Sequence, residues 1–339
     1  MKNNKILSII VPSYNTSVFV DECVPTFINK KLFDLVDIYF IDDGATDNTK
    51  EKLETYINRF PDYFHFYHKN NGGHGSVINF GLKNCVKTKY FKVIDGDDYV
   101  DSEALYKLAL YLSTCDDDLV VSGYCEKYTN KIIEIKPLNQ EQEIKYQEKT
   151  SYGLDILLNM NITIHSCTFK TCIFVDHKII LPEKVFFEDN LFIIYPVPFL
   201  KSVSFVNDYI YFYRLGNPNQ SVSYKGRTKH YDDSIFVRKL AFSYFENNIQ
   251  FFSDTEKKFF FKHISQTLSC YRNTILYYKN NKIARKKCLE IYQNDLKYPD
   301  LMSELKKSRF YKWLFNTHFN FIGIFRRIQI RELKKNEDK

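Results

Sequence analysis

The sequence predicts an α/β fold, a mostly parallel sheet with flanking helices, followed by a mainly helical C-terminal region. Three observations predict it. Over the first ~120 residues short apolar runs alternate with segments of helical period, the pattern of a doubly wound sheet. Two of those runs, Val36 to Ile41 and Tyr90 to Ile94, stop abruptly on aspartates, which places acids at the carboxyl edge where open α/β sheets bind ligands. After Tyr224 the composition shifts to helices rich in Lys, Phe and Tyr, so the expected division is 1–224 and 225–339.

Taken in order, Ile6 to Val11 is the first strand and ends at Pro12. Thr16-Ser17 then opens a helix expected to reach about Lys31, with Asp21 and Glu22 favourable in its early turns and Pro25 against it. Val36 to Ile41 is the second strand, closed by Asp42-Asp43-Gly44. Leu53, Tyr56, Ile57 and Phe60 recur at i, i+3, i+4 and i+7, giving a helix that Pro61 ends. Phe64 to Tyr67 is a short third strand. Asn70-Asn71-Gly72-Gly73-His74-Gly75 is a glycine-rich loop leading into a helix from Ser76, with Ile78, Leu82 and Cys85 on one face. The central strand from Tyr90 follows, then a helix marked by Leu105, Leu108, Ala109 and Leu112, then a strand from Leu119 to Ser122. From Glu126 to about Gln147 the pattern suits a β-ribbon. Leu154 to Met160 reads as helical and Ile162 to Phe174 as mixed, and Phe186 to Phe192 sets Glu188 and Asp189 between aromatics at a helix start.

Asp95, Asp97 and Asp98 crowd around Gly96. Like charges so close repel, and a hard divalent cation bound through oxygen, Mg2+ or Mn2+, offsets that repulsion. The bland alternative is a helix N-cap with an Asx turn, for which one aspartate is enough. A calcium loop of the EF-hand type would need Gly and Glu where Val100 and Tyr106 stand, so that reading fails. The glycine-rich loop is no P-loop, since no Gly-Lys-Ser/Thr follows. Nor is it a dinucleotide fingerprint, because Ile78 stands where the third glycine belongs. Its two readings are a turn needing positive φ and a close backbone approach to phosphate at a helix N-terminus.

The bulk numbers bound the rest. A chain of 339 residues exceeds what one core usually supports, and 26 Tyr with 30 Phe allow a large one. Eight cysteines form no Cys-x-x-Cys pair, so free thiols in a reducing compartment are expected. The apolar stretch at Ile6 to Val11 is too short for a secretory signal, and Leu191 to Leu200 is too short and proline-interrupted to span a bilayer. The expectation is a cytoplasmic protein. The net charge of +7 sits mostly in the tail and is not read as nucleic-acid binding.

The residues resemble a family, the inverting family 2 glycosyltransferases with the GT-A fold. The resemblance rests on Ser8-Ile-Ile-Val-Pro-Ser-Tyr-Asn15, Ile41-Asp-Asp-Gly44 with Thr46-Asp47, Asn71-Gly-Gly73, Asn79 with Gly81-Leu82, Asp95-Gly-Asp-Asp98, Glu188-Asp189 and Tyr213-Arg214 with Ser221, over about the first two-thirds of the chain. It implies that Pro12, Tyr14 and Asp43 hold a nucleotide base, that Asp97 contacts the ribose, and that Asp98 holds the metal. It also implies that Asp95 supports the loop and that Gly72, Gly73 and Asn79 line the diphosphate and sugar side. Asp189 matches the catalytic base, Glu188 helps place the acceptor, and Arg214 could reach the diphosphate. The chain departs from the family at Ile78, where many members carry Arg, and at His74, a loop position usually small or apolar. It lacks the Gln-x-x-Arg-Trp motif and membrane spans of processive members, which implies single addition.

The expected activity is transfer of one hexosyl or N-acetylhexosaminyl unit from a nucleotide-diphosphate sugar, UDP foremost, to the hydroxyl of a glycan or lipid-linked acceptor in cell-surface polysaccharide synthesis. Two alternatives stand beside it. A catalytically silent nucleotide-sugar-binding subunit is disfavoured by the presence of both Asp98 and Asp189, and sugar-nucleotide synthesis lacks its triphosphate loop near Pro12. Between Lys306 and Lys335 nine cations face the single acid Glu332, interleaved with Phe310, Trp313, Leu314, Phe321, Ile324, Phe325 and Ile328. This suits either a basic aromatic helix on anionic lipid, peripheral on the cytoplasmic face, or a packing helix with a solvated basic face.

Overall fold

The computed structural model describes residues 5–216 and 220–337, with the side chains of residues 334–337 left out. Strands are β1 (Leu7–Ser13), β2 (Val36–Asp42), β3 (Phe64–His68), β4 (Tyr90–Val93), β5 (Tyr99–Val100), β6 (Leu119–Lys127), β7 (Ile132–Ile135), β8 (Cys167–Lys170) and β9 (Val203–Arg214). Helices of the first part are α1 (Val20–Cys23), α2 (Thr49–Ile57), α3 (His74–Asn84), α4 (Ser102–Leu112), α5 (Gln140–Glu143), α6 (Thr171–Asp176) and α7 (Asp189–Ile194). The chain forms two compact units, one running through Lys127 together with Ile132–Arg214, the other formed by Tyr128–Lys131 and the chain from Leu215 onward.

In the first unit one sheet has the order β3-β2-β1-β4-β8-β6-β9-β5, with β7 hairpin-paired to β6. Strands β3, β2, β1 and β4 are mutually parallel, and β6 and β9 are parallel to each other. Strands β8, β5 and β7 run antiparallel to their neighbours. The fold is the expected mostly parallel α/β sheet, with short antiparallel strands added beyond the regular alternation. Its core joins Leu7, Ile9 and Val11 of β1, Ile38 and Phe40 of β2, and Leu105, Leu108 and Leu112 of α4, all buried. Burial of such side chains at ~25 cal/mol per Å2 of apolar area is what holds sheet to helices.

The expected helix from Thr16 to Lys31 is instead the four-residue α1 followed by two 3-10 turns, Val24–Phe27 and Lys30–Leu32. The reason lies at its start: the Thr16 N–H donates to Thr49 Oγ1 and the Ser17 N–H to Asp47 Oδ2, so these groups fasten the segment to α2. Pro25 then occupies the first turn of a 3-10 helix, where a missing N–H is harmless. Leu154–Asn159 is likewise 3-10 helix, and β6 extends five residues beyond the expected Ser122 to Lys127.

The second unit is helical: α8 (Tyr224–Lys229), α9 (Tyr231–Asn247), α10 (Asp254–Thr267), α11 (Tyr271–Tyr277), α12 (Asn281–Asp295), α13 (Pro299–Lys307), α14 (Arg309–Asn316) and α15 (Ile322–Glu337). Its aromatics form the interior, with Phe245 stacked on Phe260 and Tyr271 among Tyr311, Phe315 and Phe319. A buried ion pair between Arg238 and Asp295 is completed by the Tyr271 hydroxyl and by the Leu268 carbonyl.

The basic tail divides along this packing. Tyr311, Leu314, Phe315, Ile322 and Phe325 are buried, while Trp313, Phe321, Ile324 and Ile328 stand exposed beside Lys312, Arg327 and Arg331. Arg326 is turned inward, where it donates to the carbonyls of Ile275, Tyr278 and Lys279 at the end of α11. Lys334 and Lys335 lie outside the described side chains. Among the described residues no helix is long and apolar enough to cross a membrane. The described cysteines are all free.

Candidate functional site

Because β1 pairs in parallel with both β2 and β4, the acidic ends of β2 and β4 flank the end of β1. Two backbone bonds fasten them there: the Asp43 N–H donates to the Ser13 carbonyl and the Gly96 N–H to the Pro12 carbonyl, both at 2.9 Å. Gly96 is required by this approach, since a Cβ would meet the Pro12 carbonyl oxygen at 2.8 Å. Tyr14 projects from the same point with 49% of its surface exposed, its ring free to cover a planar ligand. Asn15 holds a left-handed conformation, φ 53°, and its Oδ1 accepts the Thr46 N–H at 2.8 Å.

Asp43 is buried, and its Oδ1 accepts Lys69 Nζ at 2.6 Å and the Gly72 N–H at 3.0 Å, while Oδ2 accepts the Gly73 N–H at 2.7 Å. A carboxylate has about four acceptor positions, so one on Oδ2 is left for an outside donor. Its neighbour Asp42 is used within the fold, by the Ala45 N–H and His68 Nδ1.

The glycine-rich loop seats a second segment. Lys184 donates its N–H to the Gly72 carbonyl at 2.7 Å, and a Cβ on Gly75 would meet the Pro182 carbonyl oxygen at 2.4 Å and Glu188 Cγ at 3.1 Å. Asn79 uses both ends of its amide on the backbone of Leu181, at 2.9 Å each. Asn79 thereby clamps 181–184 against the loop. This segment leads through Phe187, in the left-handed region at φ 70°, to Glu188 and Asp189 at the start of α7.

His74 joins the two halves. Its Nδ1 lies 2.7 Å from Glu188 Oε1 and its Nε2 2.9 Å from Asp95 Oδ1. Burial opposes its positive charge, but the two carboxylates prevail and push its pKa well above the usual range. Asp95 is correspondingly held down at about 2, burial working against it and His74 for it. Asp189 moves the other way: burial and the charge of Glu188 raise its carboxyl to about 7, where a general base is most effective.

Asp98 is 1% exposed, and Oδ2 accepts the Tyr211 hydroxyl at 2.6 Å while Oδ1 accepts the Arg214 N–H at 2.7 Å. Asp97 is met by no donor from another residue among those described, and burial with the charge of Asp95 raises it to about 6. Burial, Asp97 and Asp95 push Asp98 well above its usual range. Neither acid is the N-cap of the next helix, because Asp101 does that, its Oδ1 accepting the Ala104 N–H at 2.8 Å. The capping explanation of the acidic cluster is thereby removed. The donor set fits a hard divalent cation, since oxygens of like charge converge where a cation would relieve their repulsion. Asp95, Asp98 and His165 each bring a ligand-type atom within 4.8 Å of the others, and burial holds His165 neutral, at about 4. Each Asp98 oxygen accepts one donor and keeps an acceptor position, whereas Asp97 meets none, so Asp97 is the more open of the two to an ion.

Arg214 sends its side chain to Glu22, 2.7 Å away, and over the Tyr99 ring, 4.8 Å from its centre, while its backbone N–H donates to Asp98 and its charge opposes the rise at Asp97. His165 stacks on Tyr213, with 4.2 Å between ring centres. Tyr211, Lys69 and the bridge made by His74 were missed from sequence. Only His74 left a signal there, as an unusual residue within a glycine loop. Lys92, fully buried on β4, holds the His165 and Cys167 carbonyls, and burial lowers it to about 7.

A family model described as glycosyl transferase family 2 matches residues 8–175. The chain is 25% identical over 242 residues to the glycosyltransferase EpsJ of Bacillus subtilis (strain 168), covering 70% of this chain and 69% of that protein. It is 25% identical over 255 residues to the glycosyltransferase MG060 of Mycoplasma genitalium, covering 72% and 80%. Among solved structures, S. aureus TarS 1-349 in complex with UDP-GlcNAc superimposes with a TM-score of 0.53 at 17% identity, over 86% of this chain and 91% of that one. The mannosyltransferase PcManGT from Pyrobaculum calidifontis, in complex with GDP-Man and Mn2+, does so with a TM-score of 0.51 at 12% identity, over 96% and 86%.

Proposed function

The chain belongs to the family 2 glycosyltransferases, and on that premise we propose that it transfers a single sugar from a nucleotide-diphosphate sugar to an acceptor hydroxyl with inversion. The observation that carries this reading is the pairing of two environments at one sheet edge: an acidic turn suited to a cation, and a carboxyl, Asp189, poised at about 7. Such a split of pKa values separates the proton acceptor from the groups that hold charge.

In this reading Tyr14 stacks on the base, Pro12 borders it, and the remaining acceptor position of Asp43 takes a base N–H. UDP is the proposed nucleotide, consistent with the UDP-GlcNAc bound to TarS, and hexosyl or N-acetylhexosaminyl units are the candidate cargo. Gly72 and Gly73 let the chain run close beside the diphosphate. Asp97 would hold Mg2+ or Mn2+, with Asp95 and Asp98 fixing the turn beneath it. This moves Asp97 from the ribose to the ion, because it meets no donor from another described residue while Asp98 is engaged by Tyr211 and Arg214. When bound, the ion would neutralise charge on the diphosphate.

Asp189 removes the acceptor's proton, because an uncharged hydroxyl is a poor nucleophile and inversion needs attack opposite the leaving group. Glu188 orients this segment. The acceptor is proposed to be a glycan or lipid-linked glycan of a cell-surface polymer, with the exposed Trp313, Phe321, Ile324 and Ile328 and neighbouring cations resting on anionic lipid at the cytoplasmic face. The test is a panel of nucleotide sugars assayed for Mn2+-dependent hydrolysis without acceptor, then for transfer, with the anomeric configuration read by NMR. Binding without any turnover would favour the silent-subunit alternative, and a retained configuration would overturn inversion.

A further inference from the structure

We propose that His74 is a positioning residue that sets the candidate base segment against the acidic turn, an inference that rests on the reading of Asp189 as the general base. Its two ring nitrogens face Glu188 Oε1 at 2.7 Å and Asp95 Oδ1 at 2.9 Å. An ionised carboxylate only accepts, so both nitrogens carry hydrogen and both bonds are charge-assisted. The imidazole ring has no torsion between those nitrogens. It therefore acts as a spacer of fixed length between Glu188 and Asp95.

Both ends of this spacer are attached to the chemistry. Glu188 immediately precedes Asp189, behind a left-handed Phe187, so a shift of Glu188 is transmitted to the base through one peptide. Asp95 opens the turn that contains Asp97 and Asp98, and its Oδ2 lies 3.0 Å from the Tyr211 hydroxyl. His74 is itself fixed, as the first residue of α3 directly after Gly73, whose N–H is held by Asp43. No side chain other than His74 donates to Glu188 among the described residues, and Glu188 is 4% exposed. Without His74 a buried carboxylate loses its partner and is expected to turn toward water, drawing the 181–189 segment with it. The His74 ring touches neither candidate reacting group, and it acts on Asp189 through placement together with its charge, which favours the ionised carboxylate.

Two substitutions separate the two bonds. His74→Asn can reproduce only the reach of Nδ1 toward Glu188, and His74→Gln only that of Nε2 toward Asp95. Each should lower kcat by ~10- to 100-fold, the usual effect of small misplacement, with affinity for UDP and Mn2+ by calorimetry within about threefold of the parent. Amide hydrogen exchange in His74→Gln, which leaves Glu188 without its donor, should accelerate across residues 181–190 and stay at parental rates across β1 and β2. The double variant His74→Gln with Glu188→Gln should be no slower than the slower single one, because both act on the same charge-assisted bond. Parental exchange in 181–190, parental kcat in both variants, multiplied losses in the double variant, or a joint fall of kcat, nucleotide affinity and melting temperature would each overturn the proposal. A parent that turns over no nucleotide sugar overturns the glycosyl-transfer reading instead, and the exchange measurement still decides for or against the spacer.

Discussion

The hydroxyl of Tyr211 lies 2.6 Å from Oδ2 of Asp98, joining the last strand of the sheet to the acidic turn that follows its central strand. Tyr211 and the Arg214 N–H thus engage Asp98, and the neighbouring Asp97, which meets no such donor, is the carboxylate proposed to meet the ion. Asp97→Asn should therefore abolish Mn2+-dependent binding of UDP while leaving the melting temperature close to parental. Asp98→Asn should weaken binding and also destabilise the fold, by about 1–3 kcal/mol for a buried hydrogen bond to a charged group. Calorimetry with and without Mn2+, paired with thermal melts, separates them. Normal Mn2+-dependent binding in Asp97→Asn would return the ion to Asp98.

Asp189, the proposed base, should set the pH dependence. Its carboxyl titrates at about 7 because burial and Glu188 disfavour its charge, and a general base works only when deprotonated. Turnover at saturating donor should thus rise with pH through about 7 and fall tenfold per unit below it. Asp189→Asn should reduce kcat by ~100-fold or more and abolish that limb of the profile. A parental acid limb in Asp189→Asn would sink the assignment.

Gly75 tests the seating of the base segment. A methyl group there meets the Pro182 carbonyl oxygen at 2.4 Å, and that contact is backbone, which cannot swing aside. Gly75→Ala should destabilise the protein by about 1–3 kcal/mol and lower kcat more than UDP affinity. Equal kcat and stability in mutant and parent would show that the segment yields freely.

Tyr14 offers an exposed ring at the end of β1. Tyr14→Ala should weaken UDP binding by ~10- to 100-fold, since stacking a base on an aromatic contributes about 1–3 kcal/mol. Tyr14→Phe should restore it. Loss of affinity in both would point to the hydroxyl rather than to stacking.

The tail calls for point substitutions rather than truncation, because Tyr311, Leu314 and Phe325 are core residues of the helical unit. Changing Ile324, Arg327 and Arg331 together to Glu should release the protein from phosphatidylserine vesicles and keep its melting temperature, at about 1 kcal/mol per basic residue near an anionic surface. Undiminished vesicle binding in this variant would remove the lipid contact.

How much of this was legible in the chain divides along a physical line. The order of strands and helices, the acid-tipped ends of β2 and β4, and the helical composition after Tyr224 follow from local periodicity and turn chemistry, which act within a few residues and are written directly in sequence. The sequence by itself also determined which residue types converge on one edge, because parallel pairing through β1 forces that. What each convergent residue does was decided by contacts between residues far apart in the chain. Asp101 rather than its neighbours caps α4, Thr16 and Ser17 are drawn to Asp47 and Thr49 instead of starting a helix, and Asn79 is claimed by Leu181, 102 residues on. His74 could be marked as unusual, yet its partners Asp95 and Glu188 lie 21 and 114 residues away. Hydrogen-bond partnership and desolvation depend on which groups the tertiary fold buries together, and no local pattern encodes that.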